Sequence, residues 1–157
     1  MNDILIIILL TLLPALELRA SIPYGILVSQ MHWLTVFLIC VIVNAILGPV
    51  IYVLLDKFIH VFLRVKRFER MWDRTVERTQ RKIHKYVEKY GVWGLSIFIG
   101  IPLPGSGSYT GAIAAYLLGF RLRRFILANI IGVLIAGTIV TIVVLMGGEV
   151  FRIFLKL

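Results

Sequence analysis

Charge is scarce in this sequence. Asp, Glu, Lys and Arg make up 16% of its 157 residues, against about 25% in an ordinary soluble domain. That shortfall excludes a chain that solvates itself on every face. Cysteine is nearly absent: Cys40 stands alone, so no intramolecular disulfide can form. The three histidines, His32, His60 and His84, are scattered, and no carboxylate–histidine spacing suits a metal ion. No nucleophile, base and orienting group fall into a recognisable set. The glycine-rich stretch from Pro102 to Gly111 has no lysine at the spacing a nucleotide-phosphate loop requires. No enzyme activity, no cofactor and no metal are expected.

What is abundant is apolar. Hydrophobic residues form 60% of the chain, and they are clustered. Leu34–Leu55 is broken only by Thr35 and Asn44, and Phe125–Met146 only by Asn129, Thr138 and Thr141. Each run is about 22 residues, or about 33 Å of helix, which matches a hydrocarbon core of about 30 Å. Both are expected to cross a membrane. The apolar N-terminus is not expected to be a signal peptide, because only Asn2 and Asp3 precede it and a signal needs a positive leader.

The formal net charge is +9, which invites a nucleic-acid reading. Most of the lysines and arginines, however, lie between Asp56 and Tyr90, and the tendency of basic loops to stay inside explains them more simply. The expectation is a multi-pass protein of the cell (cytoplasmic) membrane with this connector in the cytoplasm and no nucleic-acid partner. Val65, Phe68, Trp72, Val76, Thr79, Ile83, Tyr86 and Tyr90 recur at three- and four-residue steps, the pattern of an amphipathic helix. Such a helix suits the anionic inner leaflet or a second subunit.

Two regions are apolar but too short and too interrupted to span. Ile4–Leu16 is followed by Glu17–Gly25, which carries two charges, a serine, a proline and a glycine, and then by Ile26–Met31. After the connector, Val92–Ile101 is followed by Pro102–Gly111 and then by Ala112–Phe120. Each reads as half-helix, polar break, half-helix. Irregular backbone at membrane depth is tolerated only where protein or an aqueous cavity covers it. Paired breaks in corresponding positions point to a transporter site between inverted repeats. The expected fold is therefore an all-α membrane protein, an inverted repeat of re-entrant hairpin plus transmembrane helix with an amphipathic cytoplasmic connector helix. Residues 1–157 form one membrane domain, with the first repeat at 1–55, the connector at 56–90 and the second repeat at 91–157.

Ionisable groups inside a membrane segment are costly and usually functional. Glu17 is the candidate proton site, and Arg19, always charged and planar, suits phosphate or carboxylate. Ser21 and Tyr24 share the first break. In the second, Ser106, Ser108, Tyr109 and Thr110 can donate hydrogen bonds, and a helix starting at Tyr109 or Thr110 would add positive dipole character. Asn44 and Asn129 sit inside the two long runs, as substrate contacts or as glue between helices.

The stretch Glu17-Leu18-Arg19-Ala20-Ser21-Ile22-Pro23-Tyr24-Gly25, together with Ile101-Pro102-Leu103-Pro104-Gly105-Ser106-Gly107-Ser108-Tyr109-Thr110-Gly111-Ala112, resembles the putative small multidrug export proteins of bacteria and archaea. Arg123-Arg124-Phe125, then Asn129 and Gly132, is more distantly similar to the DedA (VTT-domain) superfamily. That second resemblance implies movement of lipid phosphates with proton coupling. It makes Glu17 the acid of the first hairpin and Arg124 a basic residue after the second. One departure stands out: no arginine lies between Ile101 and Gly111, where that superfamily usually carries one.

The expected function is a proton-coupled membrane transporter of an amphipathic or lipid-phosphate substrate, such as a polyprenyl phosphate. Its candidate site joins Glu17, Arg19, Ser21, Tyr24, Asn44, Ser106, Ser108, Tyr109, Thr110, Arg124 and Asn129. Two alternatives stay open: efflux of cationic drugs in exchange for protons, and a non-transporting membrane scaffold. With so few spans to enclose a site, a homodimer or larger assembly is expected.

Overall fold

The structure, a computed structural model, describes residues 3–14, 16–62, 91–102 and 106–155. Every element in it is helical, with no strand among the described residues. Helix α1 is Asp3–Leu12, and α2, Glu17–Pro23, continues into a wider π-helical turn at Tyr24–Val28. Helix α3 is Trp33–Phe62. Helix α4 is Gly91–Gly100, α5 is Ser108–Leu117 and α6 is Leu122–Leu155. Short helix, break, short helix, long helix thus occurs twice along the chain.

The long helices carry the two expected spans, at Trp33–Phe58 and Leu122–Gly147. Each span has 26 residues, about 39 Å, enough to cross. Only 28% of the most apolar window of either helix is buried inside the protein. Ile46, Val143 and Met146 are each 60% exposed or more. The core helix of a soluble protein would bury such residues, so these faces need an apolar solvent, and the chain is a membrane protein. Helices α1 and α4 are also apolar but only about 15 Å long.

The first break lies upstream of where charges and proline placed it. Glu17–Gly25, expected to be irregular, is helical. The chain leaves the helix instead at Leu13 and Pro14, where Pro14 lacks a backbone donor and the amide of Leu16 bonds the carbonyl of Leu13 at 3.1 Å. Glu17 then turns the chain through a left-handed conformation, φ +44°. The helical path does not stop at Pro23, the last residue of α2, but widens after it. The Tyr24 amide is shared by the carbonyls of Ala20 and Ser21, and the Ser29 amide reaches back five residues to Tyr24 at 3.0 Å. A π-turn is how a helix absorbs such an interruption. The second break, with Ile101 and Pro102 on one side and Ser106 and Gly107 on the other, overlaps the expected stretch, and Ser108–Gly111 already belong to α5. The amphipathic connector helix expected at Val65–Tyr90 lies outside the described residues.

Helices α3 and α6 pack together, with α2 and α5 against them and α1 against α2 and α3. The core between them is built from Ile7, Ile22, Val36, Cys40, Ile99, Phe125 and Val133. Pro49 sits inside α3 and cannot donate to the carbonyl of Ala45, four residues earlier. Asn129 of α6 supplies the missing donor: its Nδ2 lies 3.3 Å from the Ala45 oxygen and 3.4 Å from that of Asn44. Gly48 makes this approach possible, since a Cβ there would fall 2.6 Å from the same nitrogen. Just past Pro49 on α3, Tyr52 donates to the carbonyl of Phe120 at 2.5 Å and stacks on Phe125 with centroids 5.3 Å apart. That contact fixes the turn between α5 and α6.

Candidate functional site

The two breaks meet. Glu17 opens α2, and its carboxylate lies at the N-terminus of α5. Oε2 accepts from the Ser108 amide at 3.2 Å and Oε1 from the Tyr109 amide at 3.3 Å. These amides have no partner within their own helix, so a carboxylate there satisfies them and complements the helix dipole. Gly107 precedes α5 with φ +142°, a conformation that favours glycine. A Cβ at Gly107 would overlap the Glu17 carboxyl group. The glycine therefore serves twice, by allowing the turn and by leaving the carboxylate its space.

Arg19, on the same helix, grips the residue before that turn. Its Nη2 donates to the carbonyl of Ser106 and, at 3.0 Å, to the Ser106 hydroxyl. Ser106 in turn donates to the carbonyl of Ile101, which ties the two sides of the second break. The linkage is reciprocal, because the Tyr109 hydroxyl donates to the carbonyl of Leu12 at 2.6 Å and caps the end of α1. Glu17 and Arg19 are electrostatically coupled. Their hydrogen bonds nevertheless go to the opposite break.

Asn44 of α3 faces the Glu17 carboxylate. Its side chain is fully buried, and it interacts with that carboxylate without a close hydrogen bond to any described residue. The Ser108 hydroxyl is likewise buried without a partner there. Glu17 itself is 6% exposed. The Glu17 carboxyl group, two backbone donors, the Asn44 amide and the Ser108 hydroxyl thus share a nearly closed space.

Of the candidate residues, Glu17, Arg19, Asn44, Ser106, Ser108 and Tyr109 come together, and Thr110 adjoins them, donating to the Gly107 carbonyl at 3.3 Å. Asn129 instead meets the backbone carbonyls of Asn44 and Ala45. Ser21 points elsewhere: its hydroxyl meets that of Thr11 at 2.8 Å and lies 3.2 Å from the Cys40 sulfur, knitting α1, α2 and α3. Tyr24 packs against the apolar core. Arg124 lines a separate cavity of about 310 Å³ with Gly91, Val92, Gly119, Phe120 and Arg121, and none of the Glu17 group lines it. The part played by Gly107 was not foreseen, although a glycine before Ser-Tyr-Thr was a signal for a close approach. The Asn129 contact was signalled by Pro49, whose missing amide leaves a carbonyl needing a donor. No group of His, Cys, Asp and Glu among the described residues could hold a metal ion.

Residues 17–139 match the family described as "Putative small multi-drug export protein". The match starts at Glu17, just past the first break, and takes in the second break, all of α3 and α6 as far as residue 139. No curated protein and no solved structure matches the chain.

Proposed function

The chain belongs to the putative small multi-drug export protein family, and we propose that it is a proton-coupled transporter of an amphipathic anion, a lipid phosphate above all. In this reading α1–α2 and α4–α5 are re-entrant hairpins that enter the bilayer from opposite sides and touch at their tips. The long helices α3 and α6 cross it, and the two halves are inverted copies. The support is physical. Helices of about 15 Å cannot span about 30 Å, and polar breaks at membrane depth need protein around them, which each hairpin gives the other. Broken helices that meet end to end are where transporters place substrate and coupling-ion sites.

The observation that carries the reading is the grip of Glu17 and Arg19 on residues 106–109. Glu17 is the group that takes up and releases a proton. Arg19 anchors the anion, with Ser106, Ser108 and Tyr109 opposite. Arg124, at the start of α6, holds the headgroup nearer the cytoplasm, where the basic connector also lies by the charge rule. Two spanning helices cannot wall off a path alone, so the working form is a homodimer or larger. The family name favours a second reading, efflux of cationic drugs. Arg19 and the α5 N-terminus make the site electropositive, which disfavours a cation there.

Reconstituted vesicles test the proposal. Wild-type protein is expected to move a fluorescent lipid phosphate across the bilayer under an inward proton gradient. Glu17→Gln should remove the gradient dependence, and Arg19→Ala should remove the flux. Unchanged flux in both variants rejects the reading.

A further inference from the structure

We infer that the N-terminus of α5 is a phosphate-binding site whose resident occupant is the Glu17 carboxylate, and that a substrate phosphate group enters by displacing it. The inference rests on the transporter reading and specifies its coupling. Three features carry it. First, the donors around Glu17 outnumber what it uses. The amides of Ser108 and Tyr109 reach it at 3.2 and 3.3 Å, at the long end of the usual range. The Ser108 hydroxyl is buried beside it with no partner among the described residues, and the buried Asn44 amide interacts with the carboxylate without a close hydrogen bond. A tetrahedral phosphate offers more acceptor oxygens than a planar carboxylate and would engage all four donors. Second, Glu17 sits in the site at the cost of a left-handed backbone, φ +44°, a conformation sparsely populated for any residue but glycine. Leaving the site lets that strain relax. Third, the carboxylate occupies the space beside Gly107 where any other residue would place its Cβ, so this pocket in the second break is kept open by sequence.

Displacement gives the coupling a chemical form. No covalent bond is made or broken in the substrate. As the phosphate takes over the amides, Glu17 loses the donors that stabilise its charge and binds one proton from solvent at a carboxyl oxygen. The anion's negative charge and the added proton arrive together, so for a monoanion the net charge of the closed site is unchanged. Among the described residues, the titratable groups that face Glu17 are Arg19 on its own helix and Tyr109 on α5. Helix α3 faces it with the neutral Asn44. Arg19 stays charged throughout, which leaves Glu17 as the group that titrates.

The test is calorimetric titration of the full-length protein in detergent with two probes, dodecyl phosphate and inorganic phosphate, in buffers of different ionisation enthalpy. Wild-type protein should take up about one more proton per bound anion than Glu17→Gln, and its affinity should fall about tenfold per pH unit where Glu17 is ionised. Glu17→Gln and Glu17→Ala should bind about tenfold tighter or better, because the internal competitor is gone. Ser108→Ala should weaken binding several-fold in either background while leaving the proton count alone. Binding of both probes assigns the site to phosphate itself, and binding of dodecyl phosphate alone assigns it to a lipid headgroup. Equal affinity and equal proton count in wild type and both Glu17 variants overturn the inference, as does failure of every form to bind either probe. If Glu17→Gln still abolishes gradient-driven flux in vesicles, the transporter reading survives that failure.

Discussion

Replacing Asn129 by Ala should destabilise the protein because of a proline on a different helix. The Asn129 amide reaches the Ala45 carbonyl at 3.3 Å, the carbonyl that Pro49 leaves without its helical donor. A buried carbonyl stripped of its partner costs about 1–3 kcal/mol. Hydrogen bonds between membrane helices measure lower, about 0.6 kcal/mol on average and about 1.7 at most. The Asn129 contacts are long, and its own Oδ1 is buried without a partner among the described residues, so losing the side chain also removes one unsatisfied group. The balance is about 1 kcal/mol for Asn129→Ala. Pro49→Ala restores a backbone donor to Ala45, and α3 is already helical on both sides of it. In that background Asn129→Ala should cost nearly nothing on this account, and the pair should show a coupling of about 1 kcal/mol. Reversible unfolding in mixed micelles of the four forms measures it. An Asn129→Ala cost that is the same with and without Pro49, within about 0.3–0.5 kcal/mol, refutes the assignment.

Gly107→Ala should lower stability by about 1–3 kcal/mol, because its φ of +142° strains any side chain, and should abolish transport by expelling Glu17 from its place; thermal unfolding and vesicle flux read the two effects separately. Tyr109→Phe removes the cap on Leu12 and should cost about 0.5–1.5 kcal/mol, seen as a lower melting temperature. Arg19→Lys keeps the charge but loses the planar fork that holds Ser106, so flux should drop well below wild type while the protein folds normally, as judged by size-exclusion chromatography and circular dichroism.

The two long apolar helices were legible because length and apolarity alone decide them, and the structure places them where the runs Leu34–Leu55 and Phe125–Met146 lie. The second break was legible because three glycines and two prolines crowd Pro102–Gly111. The first was misplaced by several residues because Pro23 looked like a stop. A proline ends a helix only when the freed carbonyl and the clash cannot be absorbed, and here a π-turn absorbs them while Pro14 does the breaking. The chemical types at the candidate site were legible, as Glu17, Arg19, Asn44 and the hydroxyl-rich turn are unusual in an apolar chain. Their pairing was not. Glu17 and Ser108 are far apart in sequence, and only the packing of α2 against α3 and α6 decides that the carboxylate caps another helix. Ser21 shows the same limit in reverse: it shares the first break's sequence but turns to Thr11 and Cys40, because its place on α2 faces α1.

The claim on which the rest depends is that Glu17 occupies the N-terminus of α5, and the amide resonances of Ser108 and Tyr109 test it most directly. In ¹⁵N-labelled protein in micelles, both amides should shift together along one titration curve as Glu17 takes up a proton, and both should sit at pH-independent positions in Glu17→Gln. Amides that do not move with pH in the wild type, and that keep the same shifts in the variant, would contradict the account.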